Sequence, residues 1–149
     1  MKIKLIAVGN VKEAYYRNQI EATIKQIKRR HVFSLIEVKD ESIPKNAGSA
    51  QEEKIREIEG KRILGNIKHD DYVYALCIDG LMLTTKQLNR HMTEQSRQTD
   101  GDLVFVIGGS LGLSEMVARR ANYKLSFSKL TFPHQLMRVM LLEQLETLS

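Results

Sequence analysis

Cysteine is almost absent from this chain of 149 residues, which excludes a fold built on disulfides. Cys77 is the single cysteine, so no disulfide can form within the chain. Proteins of oxidising compartments often depend on disulfides, whereas cytoplasmic thiols are kept reduced. The sequence therefore predicts a cytoplasmic protein. The apolar residues around Cys77 predict that its thiol is an inert part of the core.

Long hydrophobic runs are missing as well. No apolar run reaches the roughly 18 residues that a membrane-spanning helix needs. The amino terminus begins with basic residues, but its apolar segment is too short for a signal peptide and is typical of a first strand. The sequence therefore predicts no association with a membrane.

Linkers and repeats are also missing. The chain has two prolines, no internal repeat and no low-complexity segment. Its 42% hydrophobic and 28% charged residues are ordinary for a globular protein, and a chain of this length can bury a substantial core. We therefore predict one domain that covers residues 1–149.

Familiar catalytic motifs do not occur in the sequence. The four histidines lack the spacing of metal ligands, so no metal is predicted at His31, His69, His91 or His134. The glycine turn 108–112 lacks both the Gly-Lys-Ser/Thr ending of a phosphate-binding loop and the Gly-x-Gly-x-x-Gly dinucleotide pattern. Ser110 does not lie in a nucleophile elbow. Motif spacing alone indicates a tight turn or an α/β ligand-binding domain.

Acidic residues are too few to balance the basic ones, and the formal net charge is +5. Basic residues cluster within 25–30, at 61–62 and at 119–120. A basic surface attracts anionic partners, nucleic acid above all. The same clusters also fit ordinary solvated helix faces, so charge alone leaves both interpretations open.

The hydrophobic pattern alternates between strands and helices. The pattern predicts strands at 3–8, 32–38, 71–78, 103–107 and 124–127, and the central strands are continuous apolar runs, as at 72–78. Helical spacing and capping residues predict helices at 11–30, 49–66, 84–98, 114–121 and from 131 onward. This alternation predicts an α/β fold, a parallel sheet covered by helices on both faces.

Several boundaries rest on single residues. Ser49 can cap the second helix, with Glu52 completing a capping box. Thr84 or Thr85 can cap the third helix, and the pair at 79–80, Asp-Gly, is a turn signal. Pro133 is expected in the first turn of the last helix, where proline is tolerated.

Two strand ends are predicted to form a crevice. The strand at 103–107 runs into the glycine turn, and the strand at 124–127 runs into a polar turn that ends at Pro133. Open α/β sheets bind ligands where the carboxyl ends of strands meet, so a ligand site is expected there.

The last helix is apolar on almost every side. Between Gln135 and Glu143, Arg138 is its only charged residue. A helix of this kind must be buried on several sides. It predicts a homodimer through this helix, with a central core helix of the monomer as the alternative.

The motifs at 106–112 and 125–138, followed by Leu142-Glu143-Gln144, resemble a known family. With its long and specific block Phe-Ser-x-x-Thr-Phe-Pro-His-Gln, the chain is similar to the bacterial large-subunit ribosomal RNA pseudouridine N3-methyltransferases, small members of the knotted SPOUT class. The opening strand and the helix near Glu52 and Gly60 match this family too. The resemblance covers nearly the whole chain.

The resemblance implies a SPOUT-type trefoil knot in the C-terminal half, with S-adenosylmethionine bound in it. By the family pattern, the cofactor contacts fall on Leu76, Gly108, Phe127, Ser128, Lys129, Leu130, Thr131 and Phe132. It also implies a homodimer that acts on N3 of a pseudouridine in ribosomal RNA, either free or in the assembled ribosome.

The catalytic residues are unknown at this stage. Family members continue past Gln144 with a Tyr-Arg-Ala stretch and a basic tail that helps to complete the dimer's active site, whereas residues 145–149 here read Leu-Glu-Thr-Leu-Ser. The resemblance therefore assigns no catalytic residue. Two alternatives stay open: a non-catalytic member that binds cofactor or ribosome, and a related knotted enzyme that acts on transfer RNA.

Overall fold

A five-stranded sheet forms the centre of the computed structural model, which describes residues 1–148. The strand order is β2-β1-β4-β3-β5, and all four neighbouring pairs are parallel. The strands are β1 Lys2–Val8, β2 Val32–Val38, β3 Tyr72–Met82, β4 Leu103–Ile107 and β5 Tyr123–Ser126. The helices are α1 Ala14–Ile27, α2 Ser49–Leu64, α3 Thr85–Gln98, α4 Glu115–Arg120 and α5 His134–Glu146. The predicted α/β class is confirmed.

Side-chain alternation along the strands separates two layers of core. In β4, Leu103, Phe105 and Ile107 pack in a cluster with α1, α3 and α5. The intervening Val104 and Val106 pack on the other face with α2 and α4. Successive side chains of a strand point to opposite faces, so an unbroken apolar run supplies both layers.

Aromatic rings reinforce the layer beneath α3. Tyr74 is fully buried and stacks on Phe105, with ring centroids 4.6 Å apart. The hydroxyl oxygen of Tyr74 lies 2.8 Å from Nδ1 of His91 on α3. Burial lowers the pKa of His91, which keeps its ring neutral and able to accept a hydrogen bond. This contact fixes α3 against the sheet.

Three helix starts differ from the sequence prediction. Helix α1 begins at Ala14 rather than at Val11, because Val11 is buried against the core before the helix starts. Ser49 is not the cap of α2: Gly48 takes that position in an extended conformation, and no side chain caps the helix. Pro133 caps α5 and stands outside its first turn. By contrast, the cap predicted at Thr84 or Thr85 is confirmed at Thr84, and the structure adds a capping box between Thr84 and Gln87.

Strand β3 is longer than predicted. The Asp-Gly pair at 79–80 is not a turn, because β3 continues to Met82. Its pairing with β5 shifts between Leu76 and Leu81, both of which align with Leu125. The Asp-Gly pair therefore marks an irregularity inside β3, and glycine is common at such irregularities.

Within residues 1–148, no helix is both long and apolar enough to cross a membrane. The same residues contain no group of three or more histidine, cysteine or acidic side chains that could hold a metal ion.

Gly60 lets α2 pack closely on α4, and we expect alanine there to destabilise the protein. An added Cβ would stand 2.4 Å from Oγ of Ser114, the side chain that caps α4 by accepting the N–H of Val117. Gly60→Ala should lower the free energy of unfolding by about 1–3 kcal/mol, the usual cost of overpacking. Gly65→Ala is the control, because its Cβ meets the nearest atom at 3.5 Å and its backbone is helical. Denaturant unfolding that ranks the two variants equally would contradict this packing role.

Candidate functional site

A cavity of about 580 Å³ opens at the carboxyl ends of β4 and β5, beside the middle of their shared neighbour β3. Its walls come from residues 76–78 of β3, the glycine turn 108–112, the loop 127–133 and the first turn of α5. This is where open parallel sheets bind ligands, and the volume is that of a small-molecule site.

Seven of the eight predicted cofactor residues line this cavity: Leu76, Gly108, Phe127, Ser128, Leu130, Thr131 and Phe132. The eighth, Lys129, is exposed and does not line it. The structure adds residues that sequence reasoning had not assigned, mainly Cys77 and Ile78 on β3 with His134 and Met137 on α5. The two chain segments predicted to meet at a crevice do meet there.

The glycine turn is held by its own backbone. The N–H of Gly112 donates to the carbonyl oxygen of Gly109 over 3.0 Å, and Gly112 has φ of +84°, a region that favours glycine. A Cβ on Gly108 would stand 2.7 Å from the carbonyl carbon of Gly112. The sequence argument explained Gly108 by close approach to a ligand. The structure shows that Gly108 is first needed for the turn to close on itself.

The loop after β5 is tied to β3 by a buried serine. The hydroxyl of Ser126 lies 3.1 Å from the carbonyl oxygen of Ile78 and 3.0 Å from that of Ser128. Within the same loop, the N–H of Leu130 donates to Oγ of Ser128 over 3.0 Å. These contacts hold two walls of the cavity in a fixed relation.

Arg138 anchors the start of α5 and is the most important residue to which the sequence argument gave no role. It was noted only as the single charged residue of an apolar helix, and the structure shows that it is 1% exposed. Its guanidinium pairs with Glu37 on β2 and donates to the carbonyl oxygen of Gly9 over 3.1 Å. Arg138 therefore fixes α5 to the carboxyl ends of β1 and β2. A single cation in an apolar helix, one turn after His134, was the signal available in the sequence.

Cys77 and His134 are the titratable side chains that line the cavity. Burial lowers the pKa of His134, and nearby Arg138 lowers it further, although Asp40 acts in the opposite direction. Its imidazole is therefore neutral near pH 7 and able to accept a proton. Burial raises the pKa of the Cys77 thiol, which keeps it protonated.

Comparison with known proteins identifies the family. The family model described as "Predicted SPOUT methyltransferase" matches residues 1–145. This chain belongs to the SPOUT methyltransferase family. Membership in that family is consistent with the trefoil knot expected in the C-terminal half.

Curated relatives of this SPOUT methyltransferase are similar along almost its whole length. The chain is 47% identical to a Clostridium tetani protein and 45% identical to proteins of Clostridioides difficile and Streptococcus thermophilus. Each match spans 145 residues, 97% of this chain and 91% of the relative. All three relatives are named "Ribosomal RNA large subunit methyltransferase H".

Proposed function

We propose that this chain uses S-adenosylmethionine to methylate large-subunit ribosomal RNA, at N3 of a pseudouridine. One observation carries the proposal: every residue that lines the cavity beside β3, β4 and β5 lies within residues 1–145, the part of the chain that the family model matches. The names of the relatives support ribosomal RNA as the substrate class. Such a substrate implies action in the cytoplasm.

The cavity fits S-adenosylmethionine in size and chemistry. Leu76, Leu130 and Phe132 offer apolar surface for the two faces of an adenine ring, and the backbone of the glycine turn offers polar groups for its edge. Ser128 and Thr131 add hydroxyl groups to the same wall. When bound, this cofactor supplies an activated methyl group on a sulfonium. The residues that would hold it are those of the glycine turn and the loop 127–132.

His134 is our candidate for the group that accepts the N3 proton. An imide nitrogen must lose its proton before it can attack a methyl group, and a neutral imidazole at the cavity wall is suited to take it. The Cys77 thiol stays protonated and is a poor base. The glycine turn and the loop 127–132 then orient the reactants and exclude water.

The expected result is a pH-rate profile with an acidic limb that belongs to His134. Turnover should fall as the pH drops through the lowered pKa of the imidazole, because the protonated ring cannot accept the N3 proton. His134→Gln keeps a polar side chain but cannot titrate, so it should cut kcat by about 10²–10⁴-fold and remove that limb. Calorimetry of cofactor binding checks that the cavity is intact. An unchanged acidic limb in His134→Gln would remove this residue from the mechanism.

The function is tested by transfer of a labelled methyl group to ribosomes from a strain that lacks the modification. We expect label in large-subunit RNA, on one pseudouridine, with free RNA and assembled ribosomes assayed side by side. Cofactor binding without any transfer would favour the non-catalytic alternative. Label in transfer RNA alone would favour the related enzyme class.

We also propose that the chain acts as a homodimer through α5. Leu136, Met137, Val139 and Met140 are only half-buried in the single chain, although all four are apolar. Leu136→Glu combined with Met140→Glu would place two charges in the interface, at a cost of several kcal/mol. Sedimentation should show a wild-type dimer at micromolar concentration and a monomeric variant. Lys86→Gln with Arg90→Gln, on exposed positions of α3, changes the net charge equally and serves as the charge control. A monomeric wild-type protein would overturn the proposal.

A further inference from the structure

A basic groove lies at the opposite edge of the sheet from the cavity. It has a volume of about 700 Å³ and runs between the end of α1 and the end of α3, across the amino ends of β1, β2 and β4. Strand β4 connects the two features, because Leu103 lines the groove and Ile107 lines the cavity. At roughly 3.3 Å per residue, about 13 Å of strand separates them.

The side chains of the groove carry a strong excess of positive charge. Four basic residues line it and face a single carboxylate, that of Asp100; the four are Lys2, Lys28, Arg29 and Arg30. None of them takes part in the side-chain ion pairs found within residues 1–148, which use Arg56, Arg62, Arg119 and Arg138. The field of these charges is therefore directed at solvent, where it attracts an anion.

Helix stabilisation explains only part of this cluster. Lys28 caps α1, and a cation at a helix C-terminus interacts favourably with the helix dipole. The helix dipole does not explain Lys2, because that residue stands at the start of a strand. It does not explain why these side chains line a concave surface either. The opposite wall adds the hydroxyl-bearing residues Ser96 and Thr99, and Val32, at the edge, is 67% exposed. A concave surface with cations, hydroxyl groups and one apolar side chain suits a sugar-phosphate backbone.

We propose that this groove is a second docking surface for the ribosomal RNA substrate, which it holds by its phosphates. The inference rests on the proposed function, because ribosomal RNA is the polyanion that such an enzyme must bind. The groove lies at the far edge of the sheet, so it contributes to substrate affinity and not to the chemical step. Contacts to phosphate position a nucleic acid without reading its sequence.

The test reverses the charges of the groove and measures methylation of large ribosomal subunits over a range of salt concentrations. Lys28→Glu, Arg29→Glu and Arg30→Glu together should raise KM for the subunit about tenfold at low salt. The slope of log KM against log salt should fall by about 2, since three phosphate contacts are lost at roughly 0.7 each. The value of kcat at saturating subunit and the affinity for S-adenosylmethionine should not change.

The matched control reverses three exposed lysines outside the groove, Lys54→Glu, Lys61→Glu and Lys86→Glu, which changes the net charge equally. Equal KM and salt slope in the groove variant and this control would overturn the inference. Glutamine at the three groove positions provides a milder variant and should shift KM in the same direction. Filter binding of the subunits separates the two proposals, because it measures the groove even if the wild-type chain transfers no methyl group.

Discussion

Replacing Gly108 with valine is expected to weaken the binding of S-adenosylmethionine by about 10- to 100-fold. The first added carbon already stands 2.7 Å from the backbone of Gly112, so the glycine turn must open to accept the side chain. Overpacking of this kind costs about 1–3 kcal/mol, which corresponds to that loss of affinity if the turn forms part of the cofactor site. Calorimetry of the folded variant measures the effect directly.

The structure also predicts how this variant behaves without cofactor. If Gly108 served only to admit a ligand, the empty variant would be as stable as the wild-type protein. Because its Cβ collides with the turn itself, the empty variant should lose about 1–3 kcal/mol of unfolding free energy.

Gly101→Val is the matched control for the Gly108 variant. A Cβ at Gly101 meets the carbonyl oxygen of Asp70 at 2.6 Å, but this site lies at the other edge of the sheet. The control should lose stability and keep cofactor affinity. Wild-type affinity in folded Gly108→Val would mean that the glycine turn is not part of the cofactor site.

The strands and the position of the cavity were predictable because both depend on local sequence patterns, namely apolar runs and the turns that follow them. The run from Val104 to Ile107 is apolar at every position, which only a strand buried on both faces requires. The two segments that line the cavity follow directly from strands β4 and β5, and parallel strands bring their carboxyl ends to one edge. The meeting of those ends therefore follows from the parallel pairing of the strands, whereas the strand order β2-β1-β4-β3-β5 was not predicted.

Features that depend on distant partners were not predictable in this way. Ser49 has the chemistry of a cap, but the extended backbone at Gly48 starts the helix without it. The Asp79-Gly80 pair has the chemistry of a turn, but pairing of Leu81 with β5 keeps it within a strand. Lys129 lies between two residues that line the cavity, yet it is exposed. For the Asp79-Gly80 pair, pairing between strands outweighs the local turn preference.

Arg138 shows the same limit most clearly, because its partners lie far away in the sequence. Glu37 is 101 residues earlier and Gly9 is 129 residues earlier. From the sequence alone, a lone cation on an apolar helix is read as its solvent-facing side. Only the fold shows that Arg138 is buried and that its contacts with the partly exposed Glu37 and with Gly9 join the helix to the ends of β1 and β2.

Arg138→Met should therefore disturb both stability and the cavity. Methionine fills part of the volume, but the carbonyl of Gly9 loses its donor and Glu37 loses its partner. Because the Glu37 side chain is 40% exposed and stays solvated, we expect a loss of about 1–3 kcal/mol, less than for a fully buried pair. Denaturant unfolding measures this loss. Arg119→Met, which breaks the exposed pair with Glu115, should cost no more than about 0.5 kcal/mol.

The pKa of His134 shows whether Arg138 also acts on the cavity or only supports the fold. Arg138 is one of the groups that lower this pKa, so removing its charge should raise the pKa toward the ordinary value of 6.5. Titration followed by NMR reports this shift, and the acidic limb of the pH-rate profile should move to higher pH with it. Glu37→Gln keeps Arg138 and its charge, so it should leave the His134 pKa low. A variant that loses stability while the His134 titration stays unchanged would show that Arg138 supports the fold alone and does not set the protonation of the cavity.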